Sequence, residues 1–346
     1  MKAALGKFLF VGFLLCCMLF LSAWTFWNPP PEPGRATFSP DGQHLIFSMK
    51  YHGHSDIYRI KKDGTELTKL TSSPGYDFDP AYSPDGSKIV FSRIHSTKYT
   101  DPANLYIMNS DGSNVTQLTF DNMCDISPVF SPAGDRIYFI RARWFGRHSL
   151  LVSSFWQDKD IFSIRPDGSD LKAVTNESFY AMSEPSISSD GKEILISLAI
   201  YKNPDSLWLV PIINPKARRA LRPNLMSYIP HGDTKQGDEA IYENIFAPHF
   251  SPNGKSFSFQ WSTKNMELGY YEYELYIMDL ESNKVRQLTS FRHNATSPSF
   301  SPDGKEVVFL FDPRWPKGGA PHELWIVNSD GTNLHRVNID MKGLAK

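Results

Sequence analysis

One four-residue word constrains this chain more than any other feature. Ser39-Pro40-Asp41-Gly42 recurs unchanged as Ser83-Pro84-Asp85-Gly86 and as Ser301-Pro302-Asp303-Gly304. Near-copies stand at Ser131-Pro132-Ala133-Gly134, Ser188-Ser189-Asp190-Gly191 and Ser251-Pro252-Asn253-Gly254. Proline presets φ at the second position of a turn, Asp or Asn tolerates the third, and glycine takes the left-handed fourth. Glycine stands in every copy, where the backbone geometry excludes side chains. A turn repeated along a whole chain is a structural device, so its serine and aspartate are read as structural and not catalytic.

The flanking segments repeat as well. After each turn comes a run rich in β-branched and aromatic residues, such as "SKIVFSRI" after Gly86 and "KEVVFLFD" after Gly304. A second run follows ("DIYRI", "NLYIM", "DIFSI", "SLWLV", "ELYIM", "ELWIV"), then a third ("ELTKLT", "NVTQLT", "DLKAVT", "KVRQLT", "NLHRVN"). A short strand such as "PAYS", "PVFS" or "PHFS" precedes each turn. Each unit therefore has four antiparallel strands, and a period of roughly 50 residues with four strands per repeat predicts a β-propeller. Six blades are expected, over 35–71, 79–119, 127–175, 184–221, 247–289 and 297–338. The fold class is all-β: a six-bladed β-propeller of four-stranded antiparallel blades, preceded by an N-terminal apolar signal or anchor helix. Each blade owns its four strands, so ring closure is expected from blade packing or from the "PPPEPG" linker.

The repeat P-x-[FY]-S-P-D-G-x-x-[IL]-x-F … [IL]-Y-x-[IM]-x-x-D-G-x-x-x-x-x-L-T resembles the WD-like repeat of the TolB-type β-propellers, and the resemblance covers nearly all of the chain after residue 35. It implies a place in the bacterial periplasm, within an envelope assembly, and a partner received at the mouth of the channel. TolB proteins carry an α/β domain before the propeller. Here about ten residues separate the apolar segment from the first blade, so whatever that domain does is not carried over.

Lys2 and Lys7 precede an uncharged apolar stretch, Phe8 to Trp27, and "NPPPEPG" follows it. This is an export signal. It is either cleaved after Leu21-Ser22-Ala23 or retained as an anchor with Trp24 and Trp27 at the outer interface. The domain plan is residues 1–27 signal or anchor, 28–34 Pro-rich linker, 35–338 propeller and 339–346 tail. Either fate exports the remainder to a periplasmic or other extracytoplasmic location, with attachment to the inner membrane if uncleaved. Cys16 and Cys17 lie in the apolar stretch, so Cys124 is left without a disulfide partner. The 36 basic and 37 acidic residues argue against a nucleic-acid partner.

The turn-bearing face of the disc is short and repetitive. The opposite face gathers the long connections, including the 222–247 segment, and is expected to carry function. Just before the inner strands lie Asp77, Asp79, Asp125 and Glu184. As a channel rim they would hold a divalent cation or meet a basic segment; equally, each would accept hydrogen bonds from loop amides. Histidines cluster on this face too: His52, His54, His95, His148 and His322 in the second-to-third-strand loops, His231 and His293 between units, and His249 at a strand start. They are weak metal candidates, because His322-Glu323 begins an H-E-x-x-H pattern that Ile326 ends. The stretch 141–160 brings Arg141, Arg143, Trp144, Arg147 and Trp156, and 311–319 adds Arg314 and Trp315. Arginine with aromatics suits a protein or glycan partner, or a local cluster covering a blade edge.

No G-x-S-x-G elbow, P-loop or dinucleotide fingerprint occurs. Sequons stand at Asn114, Asn176 and Asn294. The reading is an exported, non-enzymatic envelope scaffold without a resident cofactor. The alternative is a metal-dependent propeller enzyme acting on oligosaccharides, of the uronate-lyase kind.

Overall fold

Both middle strands of a unit must be buried on both faces, because neighbouring units cover them, and their sequences are accordingly continuous apolar runs. In the computed structural model, which describes residues 31–98, 100–146, 155–199, 207–223, 225, 245–265, 270–317 and 321–341, these runs are strands. The first unit comprises β1 (Glu32–Phe38), β2 (His44–Tyr51), β3 (His54–Lys61) and β4 (Thr68–Lys69). The second comprises β5 (Tyr76–Tyr82), β6 (Lys88–Ile94), β7 (Ala103–Asn109) and β8 (Thr116–Gln117). In the third are β9 (Cys124–Phe130), β10 (Ile137–Gly146), β11 (Phe155–Ile164) and β12 (Lys172–Ala173). The fourth has a split inner strand, β13 (Ala181–Met182) and β14 (Ser186–Ile187), then β15 (Glu193–Ala199), β16 (Leu207–Pro211) and β17 (Arg219–Ala220). The fifth holds β18 (Ile245–Phe250), β19 (Ser256–Asn265), β20 (Tyr270–Asp279) and β21 (Val285–Gln287). Last come β22 (Asn294–Phe300), β23 (Glu306–Asp312), β24 (Glu323–Asn328) and β25 (His335–Arg336). Within each unit the strands pair antiparallel in chain order.

Alternation along a strand sends successive side chains to opposite neighbours. On β7, Tyr106 and Met108 join Ile46 and Ile57 of the first unit, while Leu105 and Ile107 join Ile137 and Phe139 of the third. The same sharing continues between later units, and Val308, Leu310 and Ile326 of the last unit pack with Leu45, Phe47 and Ile60 of the first. Each fully buried Leu, Ile or Phe contributes roughly 1.5–3 kcal/mol, so these shared layers hold the all-β, propeller-like assembly together.

The repeated turn behaves as expected. In the second unit the Ser83 hydroxyl donates to Asp85 Oδ1 at 2.5 Å and accepts the Lys88 N–H at 2.9 Å. Gly86 sits at φ 72°. Where Ala133 replaces the aspartate, Ser131 Oγ turns to Asp135 at 2.7 Å. The turns also touch around the ring. A Cβ on Gly86 would lie 3.6 Å from Pro40, one on Gly134 3.5 Å from Pro84, and one on Gly42 3.7 Å from Pro302.

The inner strands differ from expectation. Four of them run past the proline expected to start them, because the preceding residue adopts a left-handed conformation and adds a bulge. Asp79 (φ 51°), Ser127 (φ 54°), Ala247 (φ 46°) and Ser297 (φ 54°) do this, with register shifts between Phe78 and Ala81 and between Phe246 and His249. In the same way β1 begins inside the expected 28–34 linker, with Glu32 opposite Lys50 and Pro33 opposite Met49. The expected tail begins as packed structure, for Ile339 and Met341 lie against the layer shared by first and last units. Residues 1–27 lie outside the described residues, among which no helix is long and apolar enough to cross a membrane.

Candidate functional site

The bulge decides which side chains reach the channel. Positions just before it are Arg35, Asp79, Ser127, Glu184, Ala247 and Ser297; two residues further on stand Thr37, Ala81, Val129, Ser186, His249 and Ser299. All six of the second set, together with Arg35 and the second residue of each of the six turns, line one cavity of 310 Å³ on the turn-bearing side. Phe250 N–H donates to Ser186 Oγ at 3.0 Å. His249 Nε2 lies 3.5 Å from Ser299 Oγ. Burial pushes the His249 imidazole down to about 4, helped by Arg35, so the ring is neutral at physiological pH. Deeper in the channel, Asp79 Oδ2 accepts the Ser127 N–H at 3.2 Å and its hydroxyl at 3.1 Å. Burial pushes the Asp79 carboxyl up; the Arg35 guanidinium pulls it down and the Glu184 carboxylate pushes it up.

Of the four expected rim carboxylates, Asp79 and Glu184 therefore act on one another in the channel, and the other two do not join them. Asp77 is held by Arg93 (Nε 2.6 Å, Nη2 2.8 Å) and Asp125 by Arg141 (Nε and Nη2 both 2.7 Å). Both carboxylates are fully buried. In a regular strand Asp77 and Asp79 would share a face, and the extra residue at the bulge moves Asp77 off it. The signal for this was Arg93 and Arg141, which stand directly across from Asp77 and Asp125 in the strand register. Charge reversal at Asp77 or Asp125 would thus test folding, since an unpaired buried charge costs about 3–5 kcal/mol.

On the opposite side, a 550 Å³ cavity is lined by Glu32, Lys50, Tyr76, Phe78 and His322. His322 Nδ1 lies 3.2 Å from Glu32 Oε1 and holds that carboxyl below its ordinary range. The other histidines are engaged one by one. His52 takes the left-handed position of the Tyr51–His54 turn with its ring against Tyr51, His54 approaches Asp56 at 3.4 Å, and His95 Nε2 meets Tyr106 OH at 2.9 Å. His148, His231 and Arg147 lie outside the described residues. Among the described residues no three of His, Cys, Asp and Glu group to hold a metal ion.

The basic-aromatic stretch is an extension of the β10–β11 hairpin. Phe145 faces Trp156 across it, rings 5.5 Å apart, and Arg143 pairs with Asp160 at 3.0 Å. Trp144 remains 47% exposed. Arg314 is exposed, whereas Trp315 donates Nε1–H to Tyr271 O at 2.6 Å and packs edge-on against Tyr273. It therefore ties the last unit to the β19–β20 hairpin of the fifth.

Residues 32–150 match the model of the TolB beta propeller domain. A TolB homolog from Chlorobium luteolum is 46% identical over 44 residues, 13% of this chain and 10% of that relative. The crystal structure of TolB from Acinetobacter baumannii superposes with a TM-score of 0.58 at 20% identity, over 87% of this chain and 61% of that one. An oligogalacturonate lyase in complex with manganese gives 0.57 at 15% identity, over 89% and 78%. At such identities the likeness to TolB and to the lyase is one of fold. The chain spans less than two thirds of the TolB chain.

Proposed function

We propose that the chain is a non-enzymatic scaffold of the cell envelope, a closed six-bladed propeller outside the cytoplasm that binds a protein or glycan through the face bearing its long hairpins. The observation that carries this is the pair of ten-residue-per-strand hairpins, β10–β11 and β19–β20, which outreach the five- to eight-residue strands of the other described hairpins. They present Trp144 at 47% and Tyr271 at 39% exposure on well-braced strands. Large aromatics on a rigid support lose little entropy on binding and dominate interaction hot spots. The resemblance to TolB-type propellers supports an extracytoplasmic location and a protein partner. The histidines on which the lyase-type alternative would draw are spoken for singly among the described residues, by Asp56, Tyr106 and Glu32.

A photocrosslinking amino acid placed at Trp144 or at Tyr271 is expected to trap one discrete partner in intact cells. The same probe at Ile213, 96% exposed on the turn-bearing side, should trap none. Equal labelling at all three positions, or no adduct at the first two, would overturn the reading.

A further inference from the structure

We propose that the proline-ringed cavity on the turn-bearing side binds a monocarboxylate, with Arg35 as its ion partner and the Thr37 and Ser186 hydroxyls beside it. This mouth is opposite the face assigned to the partner above, so the two readings stand or fall separately.

The case rests on donors that lack acceptors. Arg35 lines the cavity and, among the described residues, makes no ion pair or hydrogen bond. The Thr37 Oγ1 and His249 Nδ1 atoms are buried without a partner among those residues. Ser186 Oγ accepts from Phe250, which leaves its own hydrogen to donate. Buried polar groups are nearly always paired, and orphaned ones are costly. A guanidinium beside hydroxyls with hydrogens to donate is a donor set whichever tautomer His249 adopts, and what it lacks is an anionic acceptor.

Charge narrows the ligand further. Asp79, which interacts electrostatically with both Arg35 and Glu184, lies deeper in the channel, and neither carboxylate lines the cavity. One guanidinium with two carboxylates behind it tolerates a single added negative charge and repels a dianion such as sulfate. Size and polarity narrow it again. The cavity's 310 Å³ lies at the small end of the roughly 300–1,000 Å³ of small-molecule sites. Its apolar wall is Ala81, Val129 and the turn prolines Pro40, Pro84, Pro132, Pro252 and Pro302. That wall suits a short apolar body behind the carboxylate. Proline fixes φ, so the mouth is formed before the ligand arrives. A free short-chain acid and the C-terminal carboxylate of a polypeptide share this chemistry.

Titration calorimetry on the full chain separates the sources and tests the site. The probes are butyrate, an alanine tripeptide with a free C-terminus, the same tripeptide as its amide, and sulfate. One saturable site is expected for butyrate, for the free tripeptide or for both, with amide and sulfate inert. Tighter binding of the tripeptide would identify a chain end, and tighter binding of butyrate a free acid. Arg35→Gln should weaken binding by roughly tenfold or more, the loss of a charge-assisted contact. Thr37→Val, which keeps the shape of the wall, should weaken it several-fold and serves if Arg35→Gln does not fold. Binding of the amide as well as the acid, unchanged affinity in the folded variants, or no heat from either carboxylate at millimolar concentration would overturn the proposal.

Discussion

At the scale of single residues, the aspartates of the repeated turns carry a definite pH signature. The Ser83 hydroxyl, followed by the N–H and hydroxyl of Ser87, holds the Asp85 carboxyl down at about 2. Asp41, Asp190 and Asp303 are lowered in the same way, first by Ser39, Ser188 and Ser301. A carboxyl whose folded pKa lies below its unfolded value of about 3.9 stabilises the fold fully above that value. The contribution disappears as pH falls toward the folded value. These groups are exposed, so each effect is small and only their repetition makes it measurable. Asn253 shows that charge is dispensable: its amide oxygen accepts from Ser251 Oγ at 2.8 Å and from the Lys255 N–H at 2.9 Å. The variant carrying Asp41→Asn, Asp85→Asn, Asp190→Asn and Asp303→Asn should therefore melt near the parent temperature at pH 7. Between pH 4 and pH 2 it should lose less. Thermal melts across that window measure it, and parallel curves would show that the turn carboxylates do not couple to folding.

At the scale of the element, the outer strand is fastened by a threonine. Thr175 Oγ1 accepts the Ile161 N–H at 2.9 Å and donates to Asp160 Oδ1 at 2.7 Å. Thr71 with Asp56, and Thr289 with Glu274, repeat the arrangement in the first and fifth units. Thr175→Val keeps the shape and strands the buried Ile161 N–H, while Asp160 keeps Arg143 and the Glu177 and Ser178 N–H groups, so it should cost about 1–3 kcal/mol; Thr175→Ser should recover most of it. Urea unfolding decides, and a valine variant as stable as the parent would mean the hydroxyl carries no weight. These fasteners were legible in principle, since acid and threonine stand 15 residues apart in all three cases. The strands and turns were read correctly because turn chemistry and strand composition are local. The channel was not, because facing depends on bulge parity. The left-handed residue that precedes the proline in four of the inner strands cannot be seen in "YDFDP" or "CDISP". It decides that Asp79 faces the channel while Asp77 pairs with Arg93. Arg35 and His249 come from units far apart in the chain, and only the closed arrangement puts both against one cavity.

At the scale of the whole molecule, the ends must be joined without exchanging a strand, since β1 to β4 and β22 to β25 each pair within their own unit. What joins them is packing: the shared layer of Leu45, Phe47, Val308 and Leu324, the Lys62–Glu306 ion pair at 2.7 Å, and the first third-to-fourth-strand turn pressed on the last unit. That turn supplies a matched pair of probes. Gly64 and Gly331 share the same φ of 88° and the same position in their units, so replacing either with alanine carries a left-handed penalty of roughly 1–2 kcal/mol. They differ in surroundings. A Cβ at Gly64 would lie 2.5 Å from the Asn338 carbonyl oxygen across the seam, whereas one at Gly331 would meet nothing within 4 Å. Gly112, at φ 89° with the Leu70 carbonyl 2.6 Å away, is the equivalent between first and second units. If the seam is packed as tightly as an ordinary junction, Gly64→Ala should match Gly112→Ala, and both should exceed Gly331→Ala by about 1–3 kcal/mol of overpacking. Faster hydrogen exchange confined to β1 and β24 in Gly64→Ala would place the damage at the closure. Equal losses for Gly64→Ala and Gly331→Ala would mean the two ends do not bear on one another in solution. The cavity walled by Pro40 and Pro302 would then lose the rigidity that a preformed site needs.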